Sequence, residues 1–202
     1  MSRPSLFPRI VALFALVQLA APAACNNPFQ LPPATVGTAV DTVTLWALTG
    51  TDIEHPSAYS VMPIPGFGIA GPVRTDRSSG FDFAFDIRTD SLADTTAVFL
   101  PRGTMGLSVD GGLQITTQPF DQITLAPTGG YQDTLPVTVK AGSVVLAASR
   151  AMTCNFGYIK PYYAKIEVTA LDLVARTVTF LILADQNCGY RSLRADTIPP
   201  TE

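Results

Sequence analysis

The only histidine of the chain is the first residue to consider as a catalytic group. His55 lies beside Asp52 and Glu54, so a carboxylate could orient its ring as in a hydrolytic triad. These acids are sequence neighbours of His55, whereas the members of a triad normally come from distant segments. No G-x-S-x-G segment supplies a nucleophile. We therefore predict that His55 is an exposed loop residue without a catalytic role.

Acidic side chains suggest two further kinds of site. Asp82 and Asp86 alternate with phenylalanines, but four residues along a strand separate Cα atoms by about 13 Å, which is too far for both to bind one calcium ion directly. We expect both carboxylates on the solvated face of that strand. Any two of the 16 acids could form the acid and base pair of a glycosidase, but no spacing selects a pair.

Metal and nucleotide cofactors are not expected. A structural zinc site needs about four Cys or His ligands, and the chain has one histidine and three cysteines. Residues 66–71 fit the dinucleotide pattern G-x-G-x-x-G, which requires a following helix whose N-terminal amides hold the pyrophosphate. Pro72 follows the last glycine and no helical period appears. This segment is therefore predicted to be a glycine-rich strand or bulge.

The strongest strand pattern lies between two cysteines. Residues 163–170 alternate apolar and polar side chains, and residues 177–184 are apolar on both faces, as in a strand near the centre of a sheet. We predict a hairpin whose connection is residues 171–176. A disulfide between Cys154 and Cys188 would close both ends of this unit and stabilise it by about 3 to 4 kcal/mol.

A tyrosine-rich segment follows the first of these cysteines. Tyr158, Tyr162 and Tyr163 offer large contact areas at low entropy cost, so they form a candidate binding loop that the disulfide would hold in place. The alternative, which we favour, is that these rings cover the edge of the sheet.

A second apolar group lies in a segment rich in proline and glycine. Met62, Ile64, Phe67 and Ile69 could form an apolar lip over a pocket or a partner surface. The alternative, again favoured, is a loop that folds over the end of the core.

Short strand patterns continue through the chain from about residue 40. The clearest is residues 81–88, which is predicted to turn Phe81, Phe83, Phe85 and Ile87 toward the core. Because phenylalanine is large, this strand should supply a large share of the buried surface.

Turn residues divide the rest of the chain. Asp110-Gly111-Gly112 predicts a tight hairpin between residues 107–109 and 113–115, and residues 122–125 are predicted to continue as a strand. The 17 prolines and 15 glycines leave no convincing helical period, and roughly nine to eleven short strands remain. The predicted fold is all-β, a mainly antiparallel sandwich or barrel with little or no helix.

The N-terminus has the pattern of an export signal. Arg3 and Arg9 precede an apolar segment, residues 10–20, and small residues follow. The segment is too short to span a membrane. Pro22-Ala23-Ala24-Cys25 resembles the lipobox of bacterial lipoproteins. In that family the cysteine becomes the first mature residue and carries acyl chains.

This resemblance implies a lipid on Cys25 and a place in the cell envelope, anchored to a membrane. Cys154 and Cys188 then remain as a pair, which accounts for the odd number of cysteines in an exported protein. The alternative is cleavage after Ala23, which would release a soluble periplasmic or secreted protein.

The predicted organisation is a signal peptide over residues 1–24, a flexible tether over 25–39, one β domain over 40–194 and a disordered tail over 195–202. Loss of the signal removes two arginines and no acid, so the formal charge changes from −3 to −5. An acidic surface argues against nucleic acid and anionic lipid headgroups as partners.

Three functions remain to be compared. The first is a non-catalytic, lipid-anchored envelope domain that presents loops to a protein or glycan partner. The second is a carrier of a hydrophobic ligand in a barrel or between sheets, and the third is a hydrolase. A carrier needs an enclosed apolar cavity, a docking domain needs a filled core and an exposed patch, and an enzyme needs polar groups that converge in a cleft.

Overall fold

The computed structural model describes residues 31–89, 94–154 and 157–200. Within these ranges the regular structure is twelve β strands and two 3₁₀ turns, Arg102–Met105 and Phe120–Gln122. The strands are β1 Val40–Trp46, β2 Ala58–Ser60, β3 Gly71–Val73, β4 Phe83–Thr89, β5 Thr95–Pro101, β6 Gly112–Thr116, β7 Val137–Val139, β8 Val144–Ala148, β9 Met152–Thr153, β10 Ile159–Lys160, β11 Tyr163–Asp172 and β12 Thr177–Ala184.

Two five-stranded sheets form the domain. The first sheet has the order β1-β12-β11-β8-β6, and the second has the order β3-β2-β4-β5-β7. All of their strand pairs are antiparallel. β9 and β10 form a separate small hairpin. The all-β prediction is therefore confirmed, and the architecture is a sandwich.

Aromatic rings fill the space between the two sheets. Phe83 on β4 lies 5.1 Å from Phe99 on β5, measured between ring centroids, and Phe99 lies 5.8 Å from Phe180 on β12 of the first sheet. Tyr59 and Phe85 complete this group, and all five side chains are buried. Because such rings bury large areas and interlock by edge and face, they dominate the packing energy of the core.

The predicted hairpin is present as β11 and β12. Its connection is residues 173–176, close to the expected 171–176. Ala164, Ile166 and Val168 face the core, and a register shift between Val168 and Ala170 ends the alternation. β12 is apolar on both faces because it lies inside the sheet between β1 and β11 and its outer face is also covered.

A loop segment covers part of the outer face of the first sheet. Ile123 and Ala126 pack there, and the Lys165 ammonium donates to the carbonyl oxygens of Phe120 and Ile123 at 2.8 and 2.9 Å. Burial lowers the pKa of Lys165. The strand predicted over residues 122–125 is wrong, because this segment is a 3₁₀ turn followed by one isolated bridge from Leu125.

The prediction that Asp82 and Asp86 lie on a solvated face of β4 is also wrong. Asp82 and Asp86 are 3% and 5% exposed, respectively. Loop segments cross the outer face of the second sheet, and their backbone amides and arginines satisfy the two carboxylates. Phe81 packs on that outer face with Ala84, so only Phe83, Phe85 and Ile87 face the space between the sheets.

The hairpin predicted around Asp110-Gly111-Gly112 does not form. β6 pairs with β8, and Leu113 exchanges backbone hydrogen bonds with Gln132 at 2.9 and 2.7 Å. Gly111 and Gly112 have positive φ angles, as expected for a turn, but a Cβ atom at either position would clash with backbone of residues 148–149 or 132. These glycines therefore permit a close approach of distant segments.

The described ends of the chain are hydrogen-bonded to the domain and to each other. The backbone amides of Thr35 and Val36 donate to the side-chain oxygen of Asn187 at 3.0 and 3.1 Å. The Thr38 amide donates to the Thr197 carbonyl at 3.0 Å, and the Asp196 amide donates back to Thr38 at 2.8 Å. Residues 35–38 and 196–197 are thus attached where we expected a flexible tether over 25–39 and a disordered tail over 195–202. Residues 1–30, with Cys25, and residues 201–202 lie outside the described ranges.

Candidate binding surfaces

A disulfide organises the end of the sandwich where the chain enters. Cys154 and Cys188 are bonded, with their Cα atoms 5.8 Å apart, as predicted. Beside Cys188, the Asp185 carboxylate accepts hydrogen bonds from the backbone and side-chain nitrogens of Asn187 at 2.9 and 2.8 Å. This orients the Asn187 amide, which also donates to the Val36 carbonyl at 2.8 Å. We refer to this region, with its disulfide, as the disulfide end.

The three candidate tyrosines do not form one exposed surface. Tyr163 lies in β11 and is buried, with its ring 6.2 Å from that of Tyr131. Tyr162 and Tyr158 are half-buried. Tyr162 lines a pocket of 220 Å³ with both cysteines, and burial raises its pKa. Tyr163 therefore belongs neither to a binding loop nor to a cover of the sheet edge, because β11 is an interior strand.

The apolar lip consists of two residues. Phe67 and Ile69 are 79% and 61% exposed, whereas Met62 is buried and Ile64 packs partly on the outer face of the second sheet. Gly66 and Gly68 have φ angles of 88° and 73°. These angles explain the glycines of the G-x-G-x-x-G pattern, which forms a turn leading into β3 and not the start of a helix.

Backbone hydrogen bonds hold the lip in one conformation. The amides of Phe67 and Gly68 donate to the Ile64 carbonyl at 3.0 and 2.9 Å, and the Ile64 amide donates to Ile69 at 2.8 Å. The Ala70 amide donates to the side-chain oxygen of Gln186 at 3.1 Å. Gln186 is the neighbour of Asn187, so the lip lies at the disulfide end.

His55 lies in a loop, as predicted. It is exposed, and its ring stacks on Trp46 at a centroid distance of 4.5 Å. The Asp52 carboxylate accepts a hydrogen bond from the Glu54 backbone amide at 2.9 Å, so it serves the local turn.

The largest of the described pockets is an open groove on the first sheet, with a volume of 960 Å³. It lies where β8 begins, while the disulfide end lies beyond the point where β8 ends. Its walls come from the ends of β6 and β8, the middle of β11 and two loops. Its polar and ring-bearing lining residues are Thr116, Thr117, Gln118, Phe120, Asp121, Lys140, Ser143 and Glu167. The groove is therefore lined by hydroxyl, amide and carboxylate groups and by one half-buried aromatic ring, Phe120, which the Lys165 ammonium also contacts at 4.5 Å from the ring centroid.

Sequence reasoning missed this groove because three separate segments build it: residues 115–121, residues 140–144 and Glu167. None of them carries a motif, and β6 and β8 become neighbours only through pairing that the glycine turn at residues 110–112 concealed. The one local signal is residues 116–121, where polar side chains surround a phenylalanine.

Among the described residues, no group of three or more His, Cys, Asp or Glu side chains is placed to hold a metal ion. Over the same residues, no helix has the length and hydropathy needed to cross a membrane.

The fold and the cysteine pair define a disulfide-bonded, antiparallel β sandwich, a class of domain that fits an exported protein. No protein-family model matches the chain, and no curated protein matches it either.

Proposed function

We propose that this protein is a non-catalytic, lipid-anchored domain of the cell envelope that binds a glycan through the groove on its first sheet. The anchor is a lipid on Cys25. The observation that carries the binding role is the open groove of 960 Å³, in which side-chain amides, hydroxyls and carboxylates surround Phe120.

The chemistry of the groove favours a glycan over other partners. Carboxylates accept hydrogen bonds from sugar hydroxyls, and amide and hydroxyl groups both donate and accept. An aromatic ring packs against the apolar C–H faces of a sugar. Asp121, Glu167 and Lys140 line the groove. The Lys165 ammonium lies 4.5 Å from the centroid of the Phe120 ring. Two acids and two cations nearly balance there, so a neutral glycan suits the site better than a polyanion.

The filled core favours a binding domain over a carrier. A carrier would hold its ligand between the sheets, and five aromatic rings occupy that space. The groove, by contrast, lies outside the space between the sheets.

Co-sedimentation with insoluble envelope glycan tests the binding role. The glycan is treated with protease to remove protein, and the full mature protein is added. We expect wild type to sediment, and Glu167→Gln and Asp121→Asn each to weaken binding about tenfold, because each removes a charged hydrogen-bond acceptor. Asp41→Asn, an exposed aspartate on edge strand β1, is the matched control and should bind like wild type.

Two results would contradict the proposal that the groove binds a glycan. Equal binding by wild type and both groove variants would show that the groove is not the site. Binding only to envelope that retains its protein would indicate a protein partner.

Acyl labelling tests the anchor separately. Wild type should incorporate labelled fatty acid and fractionate with membranes, and Cys25→Ser should lose the label, because the thiol is the acylated group. A soluble, unlabelled wild-type protein with a mature N-terminus at Ala24 would refute the anchor.

A further inference from the structure

We infer that the lip formed by Phe67 and Ile69 inserts into the lipid bilayer that holds the anchor, as a second membrane contact that fixes the orientation of the domain. This inference rests on the proposed lipid at Cys25. The lip would contact the bilayer at the boundary between the acyl chains and the headgroups.

A short chain of contacts connects the lip to the point where the polypeptide enters the domain. The Ala70 amide binds Gln186, and the next residue, Asn187, binds the backbone of Thr35 and Val36. Gln186 and Val36 line the same 220 Å³ pocket. The lip and the entering segment are therefore neighbours at the disulfide end.

The length of chain before this point keeps the disulfide end near the bilayer. Six residue steps separate Cys25 from Leu31, which can span about 20 Å when extended. From Pro32 onward the segment contacts the domain, because the Tyr190 hydroxyl donates to the Pro32 carbonyl at 2.6 Å. A lipid on Cys25 thus holds the disulfide end within about 20 Å of the bilayer surface.

The lip has the composition required for entry into the interface. Residues 56–73 include no Asp, Glu, Lys or Arg, so no ionised side chain of this segment must be desolvated. Its large exposed side chains, Phe67 and Ile69, are apolar, and their transfer out of water is favourable. The mature protein carries a net negative charge and is not attracted to anionic headgroups, so a membrane contact made by apolar side chains is consistent with its charge.

The rigidity of the lip favours insertion further. Its turn is already fixed by the hydrogen bonds to Ile64 and Gln186, so little additional backbone entropy is lost on contact.

A further exposed apolar residue lies at the same end. Ile159 is 67% exposed in β10, whose neighbour Lys160 packs near Gly189.

Quenching by brominated lipid tests the inference in the full lipidated protein. Trp46→Phe provides a background without tryptophan, since Trp46 is the only one. In that background Phe67→Trp reports on the lip, and Val174→Trp is the matched control. Val174 is 95% exposed in the β11–β12 connection, about 33 Å along β11 from the disulfide end. The proteins are reconstituted in phosphatidylcholine vesicles with and without brominated acyl chains.

We expect the tryptophan at position 67 to show a blue-shifted emission and to lose most of it in brominated vesicles, while the tryptophan at position 174 stays unquenched. Because both positions are exposed, neither substitution should disturb folding, and circular dichroism checks this.

Two failures are distinguishable. Acyl labelling of Cys25 with no quenching at position 67, or with equal quenching at 67 and 174, overturns the lip contact and leaves the anchor intact. Absence of acyl label on the wild-type protein overturns the anchor, and the inference that depends on it falls as well.

Discussion

Asp82 and Asp86 each pair with an arginine of the first sheet, and Asp82 makes the shorter contact, at 3.2 Å against 4.0 Å. The Asp82 carboxylate accepts hydrogen bonds from the Val61 amide at 2.8 Å and from the backbone and guanidinium nitrogens of Arg150, each at 3.2 Å. Val61 follows β2 of the second sheet, and Arg150 follows β8 of the first. Burial raises the pKa of Asp82, while the Arg150 guanidinium acts in the opposite direction.

Removal of this carboxylate should be strongly destabilising. Asp82→Ala leaves the Val61 amide and a partly buried guanidinium without their acceptor, so we expect a loss of about 3 to 5 kcal/mol in the free energy of unfolding. Denaturant titration measures it. Asp76→Ala is the control, because Asp76 pairs with Arg74 near the surface, and its unfolding midpoint should stay at the wild-type value. Equal midpoints for the two variants would show that the buried network carries no stability.

Tyr59 should make stability fall at alkaline pH. Its side chain is 2% exposed, and burial, with a smaller contribution from Asp41, raises its pKa well above 10.0. The folded state therefore retains the phenol proton at a pH where the unfolded chain loses it, and stability decreases as pH rises above about 10.

Tyr59→Phe isolates this effect. We expect the variant to lose less unfolding free energy than wild type between pH 8 and pH 11, since it has no phenol to ionise at this position. Burial lowers the pKa of Lys165, which changes stability with pH in the opposite sense, but Lys165 is present in both proteins. Identical pH slopes for the two proteins would contradict the assignment.

At the scale of elements, strands were predictable where one periodic run pairs with its sequence neighbour. The β11–β12 hairpin is the best example, because its alternation and its short connection are both local. The face of Asp82 was not predictable, because its burial depends on segments that follow β2 and β8, far away in sequence. Gly111 and Gly112 led to the wrong prediction of a hairpin, because their contacts are also with distant segments. A tight turn and a close backbone approach both require glycine, so the sequence does not distinguish them.

The candidate site follows this rule as well. The disulfide pair could be predicted from its flanking positions. Local composition selected four candidate lip residues, of which only Phe67 and Ile69 are exposed, and the alternative of a loop folded over the core was favoured. The groove could not, because its walls meet only after β6 and β8 pair across 27 intervening residues, 117–143.

The disulfide between Cys154 and Cys188 should stabilise the disulfide end, where residues 31–38 contact the domain. Its cysteines are 34 residues apart, and Cys154→Ser with Cys188→Ser should cost about 3 to 4 kcal/mol in unfolding free energy. Because Asn187 adjoins Cys188, protease should also cut residues 31–38 faster in the variant. Peptide mapping without reduction should recover the linked pair from wild type. Native protein in which both thiols react with an alkylating agent would contradict the bond.

At the scale of the whole molecule, one aromatic core should make the two sheets unfold together. Phe83 belongs to the second sheet, and Trp46 lies in β1 of the first. Phe83→Ala should cost about 3 to 5 kcal/mol and should shift the Trp46 fluorescence transition and the circular dichroism transition equally. Phe67→Ala, which changes an exposed phenylalanine, should leave both in place. A shift in only one signal would mean that the sheets unfold separately.

The backbone pairing of Thr38 with Asp196 and Thr197 brings the entry and the exit of the domain to one place. Cargo fused after the C-terminus would therefore sit beside the entry segment and, under the proposed lipid anchor on Cys25, within about 20 Å of the membrane. For display away from the membrane, an inserted sequence belongs at the turn around Val174, whose side chain is almost fully exposed. A circular permutant opened at that turn could join residues 38 and 196 with a linker of a few residues, because these two positions are hydrogen-bonded to each other.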